Sequence, residues 1–398
     1  MGAARLPAGA PRRLTMTGRA VWIDAPGQLA TRPAEPVAPG PGEVLVQVAW
    51  AGICGSDREL LRGTRPAGFV RYPVVPGHEW SGTVTAVGPA VDPGAGPAAD
   101  PGAGPAADPG AGPAADPGAG PPAGSTGDAA FGPAGDATLV GRRVVAEGFR
   151  SCRICAACRG GDTNMCASPY DETGFTRPGA WSDHLVVPSH LLHVLPPDAD
   201  LRAAAGLEPA ACAAAMCLRA EAVPGERVAV VGAGTLGLLA TQLLAAGGPA
   251  ELVAVDPRVN RGRLAARCGA TTLLTPDEAA AAPWARHFDV VVEAAGAAGS
   301  AVLACGLARR GGRVVLAGLA ADGDHPLRAI DLVLPQLTVH TVFGAPSRAW
   351  SHAVRAFAAG HLDPAALVTH ELPLDDVGAA FRLLDDAASA AVKILLHP

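Results

Sequence analysis

Two patterns of hydrophobic positions divide the chain near Leu201. Before that residue, short β-branched runs alternate with proline and glycine, as in VWIDAPG, PGPGEVLVQVAW and EWSGTVTAVG, which predicts a β-rich module. After it, the apolar runs RVAVV, ELVAV, FDVVV and GRVVL alternate with helical stretches. Apolar strands separated by helices predict a doubly wound parallel sheet, so the expected fold class is α/β. The segment after Ala345 ends in VKILLHP, a strand that we expect to rejoin the first module.

The chain of 398 residues is long enough for two domains. Between two predicted strands, the octad DPGAGPAA occurs three times in succession from Asp92 and begins again at Asp116. Because Pro, Gly and Ala bury too little apolar area to offset their ordering entropy, we expect a disordered insert. We interpret it as a repeat expansion in a surface loop, with a tether for a partner as the alternative. The predicted organisation is a disordered tail (1–16), a β-rich domain (17–200) that contains the insert (90–137), a doubly wound domain (201–344) and a return to the first domain (345–398).

Charge and composition narrow the choice of partners. The formal net charge of -6 and a pI near 6.0 create no field that would attract nucleic acid or anionic lipid, so we expect a small-molecule partner, no nucleic acid and no membrane. The N-terminal residues lack the apolar run of a secretory signal, and Gly, Pro or charges interrupt every candidate membrane span. We therefore expect a cytoplasmic protein, in which nine cysteines are more readily metal ligands than disulfides.

The sequence VAVVGAGTLG places a glycine-rich turn between a predicted strand and a predicted helix. Gly232, Gly234 and Gly237 form the pattern GxGxxG, and Thr235 and Leu236 complete the turn. The glycines permit the tight turn, the approach of the backbone to a pyrophosphate, and close packing of helix on strand. This context predicts a dinucleotide site with the pyrophosphate at the helix N-terminus. A glycine turn without a ligand is the alternative.

Asp256 ends the next predicted strand, where a carboxylate can accept hydrogen bonds from both hydroxyls of an adenosine ribose. This position favours NAD as the cofactor. Arg258, Arg261 and Arg263 follow closely, and an arginine there could instead meet a 2′-phosphate, so NADP stays open.

Four cysteines in SCRICAACRGGDTNMC have the spacing C-x2-C-x2-C-x7-C. Thiolates so close in the chain can enclose one tetrahedral zinc and leave no position open to water, which is typical of a structural site. An iron-sulfur cluster is the chemical rival, but the run has no other redox feature around it. The predicted ligands of the structural zinc are Cys152, Cys155, Cys158 and Cys166.

A second set of metal-ligand residues is dispersed along the chain. GICGSD supplies Cys54, PGHEW supplies His78 and Glu79, and LEPAAC supplies Glu208. One thiolate, one imidazole and one carboxylate leave a tetrahedral zinc with an open position, which catalysis requires. Each residue alone would more often be structural, so this prediction depends on their occurring together.

In this order, GICGSD, PGHEW, the four-cysteine run, LEPAAC and VGAGTLG resemble the zinc-containing medium-chain alcohol dehydrogenases. The likeness covers about 17–398 apart from the insert. A Glu-Pro pair at the third ligand position resembles the polyol, threonine and sorbitol dehydrogenase branch. The resemblance implies a β-rich, chaperonin-10-like catalytic domain interrupted by a nucleotide-binding domain, with the active site in the cleft. We also expect a homo-dimer or homo-tetramer.

By the same resemblance, Cys54, His78 and Glu208 are the ligands of a catalytic zinc. Glu79 is a ligand, a water-mediated neighbour or an exchangeable partner, and the branch supports all three. Asp57 falls where a carboxylate would orient His78 through its other ring nitrogen. The expected cofactors are therefore two zinc ions per chain, one catalytic and one structural, together with NAD or NADP.

The resemblance also implies a proton route and a reaction. Ser56 falls where a hydroxyl accepts the substrate proton. Where the family often has a histidine, this chain has Glu59, so either Glu59 passes the proton to solvent or another route does. The implied reaction oxidises a secondary alcohol of a polyol or an (amino)cyclitol, such as 2-deoxy-scyllo-inosamine, to a ketone. A threonine-like amino-alcohol dehydrogenase and a non-catalytic scaffold that retains the fold are the alternatives.

Overall fold

The structure is a computed structural model that describes residues 18–90, 137–319, 326–386 and 389–398. The predicted tail over 1–16 and all of the predicted insert except its two end residues lie outside these ranges. Within them, every helix is too short or too polar to cross a lipid bilayer.

The described residues form strands and α-helices that are numbered here in chain order. The strands are β1 (Gly18–Ala25), β2 (Gln28–Ala34), β3 (Glu43–Ile53), β4 (Trp80–Val87), β5 (Arg143–Ala146), β6 (His184–Pro188), β7 (Leu192–Val194), β8 (Arg227–Val231), β9 (Glu251–Val255), β10 (Thr272–Leu274), β11 (Phe288–Glu293), β12 (Ala308–Leu316), β13 (Thr338–Thr341), β14 (Val368–Pro373) and β15 (Lys393–His397). The helices are α1 (Gly55–Arg62), α2 (Ala156–Arg159), α3 (Leu201–Ala204), α4 (Leu207–Ala220), α5 (Thr235–Ala246), α6 (Gly262–Arg267), α7 (Pro276–Ala280), α8 (Ser300–Leu307), α9 (Ala329–Val333), α10 (Ser347–Ala358) and α11 (Val377–Asp385).

Six parallel strands form the sheet that the apolar runs after Leu201 predict. Their order across the sheet is β10-β9-β8-β11-β12-β13. The chain therefore builds outward from β8 to one edge and then returns to build the other half. In such doubly wound sheets, the crevice where the order reverses binds dinucleotides at the carboxyl ends of the strands.

Strand β8 shows why the run RVAVV is apolar throughout. Val228 and Val230 pack in the core on one face of the sheet, whereas Ala229 and Val231 pack in the core on the other face. All four side chains are buried, since helices cover both faces. The α/β class predicted from these runs is confirmed. The domain boundaries at 200/201 and 344/345 stay predictions.

The β-rich part contains a seven-stranded sheet of order β14-β15-β3-β4-β5-β7, with β6 paired to β3. Strands β1 and β2 form a separate antiparallel hairpin. The last strand, β15, pairs antiparallel to β3, with Ile394 opposite Ile53. The C-terminal strand VKILLHP thus rejoins the first module, as the pattern predicts. This pairing also brings the start of β15 to the end of β3, where the candidate site begins.

Candidate active site

Cys54 lies at the junction of β3 and α1. Its backbone N–H donates a hydrogen bond of 2.9 Å to Asp57 Oδ2, so Asp57 fixes the first turn of α1. The side chain of Asp57 is completely buried, and its other oxygen lies 3.5 Å from Nδ1 of His78. Asp57 therefore joins the helix start to the imidazole. Because Nδ1 faces this carboxylate, Nε2 of His78 is left for a metal ion.

His78 lies in a turn that precedes β4. The turn needs Gly77, which has φ 98° and would clash with Trp181 if it carried a Cβ. The centroid of the imidazole lies 4.8 Å from the ring centroid of Phe175, and the imidazole is buried. Burial lowers the pKa of His78, but Asp57 and Cys54 more than reverse this effect and raise it well above its usual value. The surroundings of the ring therefore favour a positive charge.

Cys54, His78 and Glu79 each offer a ligand atom, and these atoms lie within 4.8 Å of one another. Glu79 is buried, and its Oε1 has no hydrogen-bond partner among the described residues. A buried, unpaired carboxylate oxygen beside a thiol and an imidazole fits a divalent ion of the zinc type, since such atoms are otherwise costly to bury. The residues present therefore fit a zinc ion.

Glu208 lies outside this close group. It lies in the first turn of α4, with Oε1 at 3.6 Å from the Sγ of Cys212, and it interacts electrostatically with His78 and Glu79. Burial is the largest cause that raises the pKa of Glu208 to about 7. The structure thus places the Glu-Pro carboxylate next to the site, while Glu79 completes the set of mutually close ligand atoms.

Lys393 is a buried residue of the site that the sequence analysis missed. Its Nζ donates to Glu79 Oε2 at 2.5 Å and to the carbonyl oxygen of Ile53 at 3.1 Å. Burial lowers the pKa of Lys393, but the charges of Glu79 and Cys54 raise it overall, so the lysine stays charged. The available signal was the lysine that directly precedes the apolar run ILL in VKILLHP.

The two residues predicted for proton transfer both lie on α1. Ser56 is partly buried in the first turn, two residues after Cys54. Glu59 is exposed, and its Oε2 lies 3.7 Å from Nη1 of Arg65. Their roles stay predictions.

The four-cysteine lobe brings its sulfur atoms together around α2. Cys152, Cys155, Cys158 and Cys166 have ligand atoms within 4.8 Å of one another. The Sγ atoms of Cys152 and Cys158 are 3.9 Å apart, close to the edge of about 3.8 Å of a tetrahedron with zinc–sulfur bonds of about 2.3 Å. Hydrogen bonds from the backbone of Ile154 and Cys155 lower the pKa of Cys152 to about 6, which favours the thiolate. The lobe fits a structural zinc.

The glycine turn lies between β8 and α5, as predicted. Gly234 is the N-cap of α5, and a Cβ on Gly237 would lie 1.8 Å from the carbonyl oxygen of Gly232. Only glycine permits this approach of helix to strand. The N-terminus of α5, where Thr235 and Leu236 form the first turn, therefore fits a pyrophosphate.

Asp256 follows β9 and faces the glycine turn. Its Oδ2 accepts a hydrogen bond of 2.8 Å from the N–H of Ala233, and Arg258 donates to both carboxylate oxygens at 2.8 and 2.9 Å. Burial raises the pKa of Asp256, but the hydrogen bonds from Arg258 and Ala233 outweigh it and lower the pKa overall. An ionised carboxylate at this place fits a ribose.

Two residues of the predicted cofactor site hold the segment that leads into β15. Thr235 Oγ1 donates to the carbonyl oxygen of Val392 at 3.0 Å, and Arg261 Nη2 donates to that of Ala391 at 2.7 Å. Nε and Nη1 of Arg261 are buried without partners among the described residues. The start of the dinucleotide helix is therefore in direct contact with the chain segment that carries Lys393.

Family models match both parts of the chain. The alcohol dehydrogenase GroES-like domain matches residues 40–96 and 129–197, and the zinc-binding dehydrogenase domain matches residues 235–359. A thermostable alcohol dehydrogenase from Pyrobaculum aerophilum, solved with cobalt and zinc, is 30% identical with a TM-score of 0.76. That comparison covers 96% of this chain and 100% of the other.

Two further relatives cover most of the chain. D-xylulose reductase A of Aspergillus oryzae is 28% identical over 374 residues, which is 89% of each protein. A zinc-binding dehydrogenase structure from Sinorhizobium meliloti 1021, with bound NADP, is 27% identical with a TM-score of 0.78 and covers 96% of this chain and 100% of that one. The chain belongs to the zinc-containing medium-chain alcohol dehydrogenase family. Its activity is alcohol oxidation linked to NAD(P), with zinc as the metal.

Proposed function

We propose that the protein oxidises a secondary hydroxyl of a polyol or aminocyclitol, such as 2-deoxy-scyllo-inosamine, to a ketone. The oxidised carbon loses one hydride to NAD+ and the hydroxyl loses one proton. The observation that carries this proposal is the close group of Cys54, His78 and Glu79 in a chain with a dinucleotide turn. The likeness to a D-xylulose reductase supports a polyhydroxylated substrate.

We propose Cys54, His78 and Glu79 as the resting zinc ligands, with Glu208 as the neighbouring carboxylate. This differs from the set that the resemblance implies, in which Glu208 is the third ligand. A zinc ion at this place supplies a Lewis acid that lowers the pKa of the substrate hydroxyl. Asp57 holds the imidazole of His78 in one orientation, and Lys393 balances the charge of Glu79.

Ser56 would relay the hydroxyl proton, accepting it while its own proton passes on towards solvent, because it lies on the same turn of α1 as the thiolate. Asp256 would accept hydrogen bonds from the adenosine ribose, and its negative charge disfavours a 2′-phosphate at the same position. We therefore propose NAD as the preferred cofactor. Arg258 is the residue that would have to turn away from Asp256 to admit NADP.

We also propose a homo-oligomer in the cytoplasm. Strand β13 is one of the two edge strands of the six-stranded sheet, and it has no further neighbour among the described residues, so this edge can accept a second copy of itself. Three apolar side chains near this edge are more than half exposed, which supports burial by another subunit. They are Ile330, Val333 and Leu334.

The test is a substrate panel with the zinc-loaded enzyme, in which NADH formation is measured for polyols, aminocyclitols, threonine-like amino alcohols and simple alcohols. We expect the highest kcat/KM among the polyols and aminocyclitols, and a higher value with NAD+ than with NADP+. Turnover confined to threonine-like substrates would assign the amino-alcohol alternative. No turnover by a chain that binds zinc and NADH would contradict the proposal.

A further inference from the structure

Glu172 is a buried carboxylate near the candidate metal site that the proposed reaction does not use. Tyr170 Oη donates a hydrogen bond to Glu172 Oε2, and Nη2 of Arg65 lies 3.8 Å from the same oxygen. Both polar contacts of the carboxylate with the described residues thus fall on one oxygen. Burial raises the pKa of Glu172 to about 8, against the lowering effects of His78 and Arg65. The ionised form of Glu172 is therefore incompletely solvated inside the protein, and a bound partner could supply the missing hydrogen bonds.

The guanidinium of Arg65 is already committed to groups of the protein. Its Nε donates to the carbonyl oxygen of Phe69 at 3.0 Å, and its Nη2 donates to Tyr170 Oη at 2.9 Å. Its Cζ lies 3.8 Å above the ring of Phe175. Glu59, whose Oε2 is 3.7 Å from Nη1, is a second carboxylate beside the same cation. Arg65 is therefore shared between two carboxylates, at 3.7 and 3.8 Å, and is not a close ion-pair partner of Glu172.

Phe175 joins this cluster to the metal site. Its ring contacts Arg65 and lies 4.8 Å from the imidazole of His78. Glu172 interacts electrostatically with His78, Asp57 and Glu208. Glu172 thus belongs to a cluster that contacts the imidazole of a proposed zinc ligand through one aromatic ring.

Aromatic rings surround the Tyr170 side of the cluster. The Tyr170 ring lies 4.7 Å from that of Phe69 and 5.9 Å from that of Phe149. Phe69 is 37% exposed, and Phe343, at 6.5 Å from Phe149, is 49% exposed. Electron-rich ring faces beside a carboxylate are the surroundings in which proteins bind ammonium groups.

We infer that Glu172 is a specificity-determining residue that binds the ammonium group of an amino-substituted polyol, with Tyr170 and Arg65 as its positioning residues. This inference rests on the proposed function. The ammonium would favour the ionised form of the carboxylate and donate charge-assisted hydrogen bonds to it, and the aromatic rings would cover the apolar side of the ligand. A sugar acid or sugar phosphate would gain no such bond, because its ionised group has no proton to donate to the carboxylate.

The test compares wild type with Glu172→Gln, which keeps the shape and removes the charge. Glu35→Gln, at an exposed carboxylate outside the site, is the matched control. Each protein is assayed with 2-deoxy-scyllo-inosamine and with the analogue that has a hydroxyl in place of the amino group. Binding of both compounds to the zinc-loaded complex with NADH is measured in parallel by calorimetry, since NADH cannot accept hydride. Zinc content and NADH affinity report whether each variant is folded.

For Glu172→Gln, we expect the amino compound to lose about 10- to 100-fold in kcat/KM and in affinity, the range for one hydrogen bond to a charged group. The hydroxyl analogue should change less than about threefold, and Glu35→Gln should match wild type. Tyr170→Phe should reduce the preference for the amine by a smaller factor. Equal losses for both compounds, or no loss, would overturn the inference while the proposed oxidation stands. Failure of wild type to oxidise either compound or any polyol would instead overturn the proposed function, and the inference with it.

Discussion

The two candidate metal sites of this chain are built in opposite ways. The four cysteines of the lobe all lie between 152 and 166, so one short segment around α2 can assemble them. The other site takes Cys54 from directly after β3, Glu79 from directly before β4 and Lys393 from the start of β15. It exists only when the order β15-β3-β4 has formed. The lobe is therefore encoded locally, whereas the active site depends on the whole first sheet.

The largest effect should come from breaking the dispersed site at its thiolate. In Cys54→Ala, we expect alcohol-dependent NADH formation to fall at least about 10³-fold, because Lewis-acid stabilisation is worth several kcal/mol and 1.36 kcal/mol is a factor of ten. NADH affinity, measured by fluorescence titration, should stay within about twofold, since the glycine turn is untouched. Cys217→Ala, a thiol remote from the proposed ligands, is the control. Near-normal activity of Cys54→Ala would contradict the assignment.

Removal of one lobe thiolate should lower the stability of the protein and should not remove the alcohol-oxidising activity itself. In Cys155→Ser, we expect the lobe to lose its zinc. Because the binding free energy of a structural zinc contributes directly to folding, the lobe should also lose several kcal/mol of local folding free energy. We expect a lower thermal midpoint and rapid proteolysis between 152 and 166, with residual activity at low temperature. A variant that is as resistant to protease as wild type would show that the lobe does not need the metal.

The pair of Lys393 and Glu79 tests how the dispersed site is held together. In the metal-free protein, Lys393→Met leaves the buried carboxylate of Glu79 without a cation, so we expect a loss of about 3–5 kcal/mol in the free energy of unfolding by urea. The double variant with Glu79→Gln, measured without metal because Glu79 is a proposed zinc ligand, should recover much of this loss, since neither charge then remains buried. A loss below about 1 kcal/mol in the single variant, as exposed ion pairs give, would mean that the pair is not buried in solution.

A further effect should appear in the pH dependence of stability, at Glu172. Its pKa of about 8 in the folded protein lies above its ordinary value of 4.5, so the folded state binds the extra proton between these values. Stability should therefore fall as pH rises from about 5 to 8, and Glu172→Gln should fall less over that window. Denaturation at several pH values measures the difference. Parallel pH profiles for the two proteins would contradict the raised pKa.

The same contrast explains how much the sequence could reveal. Short apolar runs predicted the parallel strands of the six-stranded sheet. The lobe and the glycine turn could also be predicted, because the residues of each lie within one short segment. The sequence leaves the role of Glu79 open, since only the pairing of β3 with β4 places this residue beside Cys54. Lys393 and Glu172 were missed. Their partners Glu79 and Arg65 lie more than a hundred residues away, where no local pattern can indicate them.

We propose that Cys54, His78 and Glu79 hold a zinc ion separate from the ion of the lobe. Metal analysis of wild type, Cys54→Ala and Cys155→Ser separates the two ions. We expect two zinc ions per chain in wild type and one in each variant, with activity lost only when the missing ion is that of Cys54. Two zinc ions in Cys54→Ala, or a single ion in a fully active wild type, would contradict it.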